Sequence, residues 1–221
     1  MNIIKTGLRC TAAALCCLLL TGCGGYHTGK IKGNVYRNSA AKFRLETPDG
    51  FSVIPQSSYE QLDSYQTAKQ QAAGRDAVDD FVCEYAAKAD DFELLICSEP
   101  NTKQDTAEAF LIRICNKLRN EETGFEVREL DQFSRGKAEF KTAHIAAHAQ
   151  LLHHHHDGEE AEEEAHAAAP AESAGEEPDT TQIRLYVTAT EDSFVYLLMT
   201  YPAGTDGETH KQMLLDSIHQ A

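Results

Sequence analysis

Basic side chains are scarce in this sequence, with 20 Lys+Arg against 35 Asp+Glu and a formal net charge of −15 at pH 7. A surface so acidic repels nucleic acid and anionic lipid headgroups, which leaves cations or basic proteins as the electrostatically favoured partners. A membrane-spanning run is missing too. The apolar stretch from Cys10 to Leu20 has eleven residues, whereas a transmembrane helix needs about 20. Past residue 22 there is no nucleophile elbow, zincin motif, phosphate loop or dinucleotide fingerprint. These absences point away from the enzyme classes that carry such motifs and towards a binding or accessory module.

What is present begins at the N-terminus. Lys5 and Arg9 form a basic segment without an acid, Cys10 to Leu20 follows as an apolar stretch of signal-peptide length, and Leu20-Thr21-Gly22-Cys23 closes it. The four residues resemble the lipobox of bacterial lipoproteins. The resemblance implies cleavage before Cys23 by signal peptidase II, a diacylglyceryl group on the Cys23 thiol, and attachment to the outer face of the bacterial cytoplasmic membrane. The lipid bilayer is then a partner through acylated Cys23, and two acyl chains hold stably where one holds marginally. Without residues 1–22 the chain keeps 18 Lys+Arg and all 35 acids, a net charge of −17.

Residues 23–33 are rich in glycine and small polar side chains and read as a flexible tether. Residues 153–180 hold ten acids and no Lys or Arg, and read as a disordered, His- and Glu-rich insertion. A single domain is expected from 34–152 and 181–221, large enough for one well-packed core.

Within it, strands are expected around Val35 and at Phe43 and Leu45, followed by a Pro48-Asp49-Gly50 turn and a return through Phe51, Val53 and Ile54. Tyr59, Leu62, Tyr65 and Ala68 or Lys69 predict a helix from Ser57 to about Ala73. Phe81 to Ala87 and Phe92 to Ser98 predict a hairpin. A helix with Thr102 and Asp105 at its start carries Phe110, Leu111, Ile114 and Leu118 on one face. Strands follow at Phe125 to Leu130 and from Ala138 towards Gln150.

If Glu191-Asp192 is a two-residue turn, Leu185 faces Leu198, Val187 faces Tyr196 and Ala189 faces Phe194. The other face, with Val195, Leu197 and Met199, cannot stay wet, so helices are expected to cover both sides of the sheet, at least in part. A last helix runs from about Asp206 to His219 with Met213, Leu214 and Ile218 on one side.

The fold class is therefore α+β, an antiparallel sheet flanked by helices. The element order, with Phe43-Arg44-Leu45 and Pro48-Asp49-Gly50-Phe51, resembles the PsbP-like fold of the photosystem II extrinsic protein, seen also in small bacterial lipoproteins. It implies an α/β/α sandwich and brings no shared catalytic residues. Relatives usually carry Trp where Phe51 stands, and 153–180 is an insertion relative to them.

Two sets of residues remain as candidate sites. Beyond Cys23, three cysteines follow, Cys83, Cys97 and Cys115, so at most one internal bridge forms. A two-residue turn places Cys83 and Cys97 on opposite faces of their hairpin. An odd loop such as Ala89-Asp90-Asp91 places them on one face, and without a bridge all three act as small buried hydrophobes. The second set is His153, His154, His155, His156, Asp157 and His166. Neutral imidazole donates to zinc or nickel, and the surrounding carboxylates concentrate cations. Alternate residues of the tract lie about 6.6 Å apart when extended and can chelate, whereas His144 and His148 would be about 13 Å apart.

Overall fold

The computed structural model describes residues 29–73, 81–120, 125–148 and 180–221. Its strands with apolar residues on both sides lie at the centre, as burial on both faces requires. β4 (Ser52–Val53), β5 (Val82–Ala89), β6 (Phe92–Pro100), β7 (Phe125–Arg135), β8 (Ala138–His148), β9 (Thr180–Ala189) and β10 (Ser193–Pro202) form one antiparallel sheet, in the order β4-β5-β6-β10-β9-β8-β7. The expected register holds. Leu185 pairs with Leu198, Val187 with Tyr196 and Ala189 with Phe194.

One face of this sheet packs against α1 (Asp63–Ala73) and α2 (Ala107–Asn120). From α2, Phe110, Leu111, Ile114 and Leu118 enter the core beside Leu95, Val187, Phe194 and Tyr196, and the Phe110 ring stacks on Phe194 at 4.2 Å. Stacked aromatic pairs add to the burial of their area.

A helix covers the opposite face in part, as expected, with Leu214 and Leu215 of the last helix in its core. Val195, Leu197 and Met199 are fully buried, but largely under a second sheet of β1 (Lys30–Lys32), β2 (Val35–Asn38), β3 (Phe43–Glu46) and β11 (Ile218–Gln220), joined by α3 (Thr205–Asp216). The reason lies in the pattern of β2 and β3, which alternate buried and exposed residues. Strands with a single apolar face belong in an outer layer. Tyr36, Phe43, Leu45, Leu214, Leu215 and Ile218 supply its inner surface.

Local departures have local causes. β1 falls inside the stretch expected to be a tether, because Lys30 to Lys32 pair with Arg37 to Val35 of β2. The helix expected from Ser57 is interrupted: a 3-10 segment spans Gln56–Gln61 and Leu62 is extended, with φ −89° and ψ 128°. Both Tyr59 and Leu62 thereby reach the core. The start of α2 is Thr106 rather than Thr102, since the Ala109 N–H donates to Thr106 Oγ1 at 3.1 Å. Asn101 folds the intervening residues into a turn, accepting the Asp105 N–H at 2.8 Å. The last helix stops at Asp216, so Ile218 is a strand residue paired with Leu45. The Pro48 turn forms as expected, with the Phe51 N–H on the Pro48 carbonyl at 3.2 Å and Gly50 at φ +90°.

Candidate functional site

A polar cavity of about 610 Å³ opens where four segments meet. Lys42 comes from the β2–β3 turn, Asp105 and Thr106 from the start of α2, Gln132 and Ser134 from β7, and Lys137, Glu139 and Lys141 from the β7–β8 hairpin. Each position has a local cause. Asn38 Oδ1 accepts the Ala41 N–H at 2.9 Å, and Lys42 takes a left-handed φ of +63°. Gly136, at φ +61°, closes the two-residue hairpin turn that carries Lys137.

Charge in the cavity runs against that of the chain. Lys42, Lys137 and Lys141 face two carboxylates, and one of these, Asp105, is already paired with Arg113. Lys141 reaches Glu108 at 3.9 Å and Gln132 Oε1 at 3.4 Å. Among the described residues Lys42 and Lys137 make no ion pair and stand exposed. Ammonium groups beside the first turn of a helix favour an anion. The sequence alone does not point to this site, since Lys42 lies far along the chain from the other two lysines.

A second groove, of about 310 Å³, lies at the end of the sheet where β8 stops and β9 starts, the two roots of the His-rich segment. Asp63, Lys88, Asp91 and Glu93 line it. His153, His154, His155, His156, Asp157 and His166 fall outside the described residues, as does Cys23. Among the described residues no three His, Cys, Asp or Glu are grouped to hold a metal. His144 sits in β8 opposite Arg184, with its Nε2 2.6 Å from Gln182 Oε1. Burial, together with the nearby Arg184 and Arg128, holds its pKa below the usual histidine value despite the Gln182 bond.

Cys83 and Cys97 come together. The turn is the two-residue Asp90-Asp91, yet Cys83 pairs with Cys97, because the ladder shifts by one residue between Cys83 and Tyr85. Cys115, on α2, is buried in the same core.

No family model and no curated protein matches the sequence. Among solved structures, the chain is similar to cyanobacterial PsbP (CyanoP) from Synechocystis sp. PCC 6803, with TM-score 0.45 and 9% identity over 90% of this chain and 96% of that one. LpqN, involved in cell envelope biogenesis of Mycobacterium tuberculosis, gives TM-score 0.44 and 9% identity over 89% and 86%. The Saccharomyces cerevisiae Ran-binding protein Mog1p gives 0.40 and 11% over 88% and 96%. Each is a likeness of outline, and none brings a binding or catalytic residue to this chain.

Proposed function

We propose that this protein is a lipid-anchored module on the outer face of a bacterial cytoplasmic membrane that binds a small anionic ligand in the polar cavity. The anchor reading rests on Leu20-Thr21-Gly22-Cys23. The binding reading rests on one observation: Lys42, Lys137 and Lys141 gather around a cavity of about 610 Å³ in a chain otherwise short of cations. Its role is accessory, holding or presenting the ligand rather than transforming it. Calorimetry with citrate and with inorganic phosphate tests it. Binding that a Lys42→Glu/Lys137→Glu double variant loses by tenfold or more is the expected result. Unchanged binding in that variant, or none in the parent protein, would refute the reading.

A second reading has its own support, four consecutive histidines among carboxylates in a segment that leaves the sheet beside the acid-lined groove. In it, the segment collects zinc or nickel. Imidazole must be neutral to donate, so binding weakens between about pH 7 and pH 5.5. Replacing His153 to His156 by Ala removes most of it, while His144→Ala leaves it intact. Titration in competition with a mild chelator decides, because any four adjacent histidines retain some metal. Loss of all binding under competition would count against a metal role.

A further inference from the structure

β5 and β6 are joined by a two-residue turn that pairs Ala89 with Phe92 and Tyr85 with Ile96. Carried on unbroken, that register would turn Cys83 and Cys97 to opposite faces. Glu84 is the extra residue that changes it, and beyond this bulge Cys83 lies opposite Cys97 and Val82 opposite Ser98. Both thiols enter the core that α1 and α2 cover. The bulge is held from the other face, where the Glu84 carboxylate accepts the Tyr36 O–H at 2.8 Å, the Ser98 O–H and the Gly29 N–H. A set of hydrogen bonds on one side of the sheet thus fixes the alignment of two cysteines on the other.

Residues directly opposite in an antiparallel pair have Cα atoms about 4.5–5.5 Å apart. A disulfide spans about 4.4–6.8 Å. Both cysteines are free thiols in the structure, and as direct partners across the ladder they fall within the Cα span a disulfide needs. We propose that Cys83 and Cys97 are a disulfide site, joined across the hairpin when the chain meets a thiol–disulfide exchange oxidant outside the cytoplasm. The anchor reading enters only through the supply of that oxidant; the alignment stands without it.

The step balances as an exchange. The Cys83 sulfur attacks one sulfur of the oxidant's disulfide, and the other leaves as a thiol. Cys97 then attacks the Cys83 sulfur of the mixed bond and expels the second thiol. Two electrons and the two thiol protons pass to the oxidant. Cys83 is the entry point on geometry. Its end of β5 is an open edge among the described strands, because β4 pairs only with Ala87 and Lys88. Cys83 lies nearer the surface at 6% exposure, whereas Cys97 is fully buried and its thiol is pushed up by that burial and by the hydrogen-bonded Cys83 beside it.

The test uses the full chain, unfolded with reductant, refolded in oxidised and reduced glutathione, alkylated under denaturing conditions and mapped by mass spectrometry. The expected product is a linked Cys83–Cys97 peptide, with the label on the Cys115 peptide. Reduction of that product should lower Tm by about 5–10 °C, the effect of opening a short covalent loop in a domain of this size. A Cys115→Ala variant should give the same linked peptide, and Cys83→Ala should not transfer the bond to Cys115. Labels on both Cys83 and Cys97 after refolding, or a link to Cys115, would overturn the proposal.

Discussion

Glu208 fastens the start of α3 to the sheet. Its Oε1 accepts the Tyr201 O–H at 2.6 Å and an Arg184 N–H at 3.4 Å, and Lys211 bonds the other oxygen. Burial works against the charge, but the bonds from Lys211 and Tyr201, with Arg184 nearby, outweigh it and hold the pKa at about 2. A carboxylate lowered in this way stabilises the fold fully above its unfolded value, about 4.3, and loses that contribution as pH falls towards 2. The side chain is 46% exposed, so the contribution is modest, below about 1 kcal/mol. Glu208→Gln should therefore unfold a few degrees earlier than the parent at pH 7, with the gap narrowing below about pH 4 and closing by about pH 2. A gap that stays constant in melting curves from pH 7 to pH 2 would show that the charge contributes nothing. Gly207 beside it has a different role, since a Cβ there would fall 2.2 Å from the Tyr201 ring.

Among the elements, β8 and β9 pair without a break from Lys141–Val187 to His148–Thr180. The ladder thus reaches the roots of the long segment between them, and a short turn can join the strands there. The expected insertion 153–180 overlaps β9 by Thr180, so deleting 153–179, which keeps the Thr180 pairing, should move Tm by less than about 3 °C, because a shorter loop costs less closure entropy and no described core residue is lost. A fall of 10 °C or more on thermal unfolding would show that the segment packs. This level is also where the sequence was most and least legible. The β9–β10 register follows from one turn length and the two-residue period, so Leu185, Val187 and Ala189 find their partners as read. α2 shows itself by the spacing of Phe110, Leu111, Ile114 and Leu118. The bulge at Glu84 leaves no such trace, since it depends on partners at Gly29, Tyr36 and Ser98. The second sheet was hidden because pairing β11 with β3 joins the two ends of the domain, and Ile218 fits the spacing of a helix as well as that of a strand.

At the scale of the whole molecule, the folded part offers no helix among the described residues long and apolar enough to cross a membrane. On the proposed anchor, Cys23→Ala should abolish incorporation of a labelled fatty acid; label that persists in the variant would contradict the lipobox reading. The acidic balance was readable from composition, but the cavity that opposes it was not, because its three lysines meet only through the packing of the β2–β3 turn against the β7–β8 hairpin. The central claim is that this cavity is the ligand seat. It is tested most directly by amide NMR shifts on titrating citrate into the isotopically labelled protein. The account predicts saturable shifts confined to residues around Lys42, Thr106, Lys137 and Lys141, absent with a neutral sugar. Shifts that saturate elsewhere, or none at all, would contradict it.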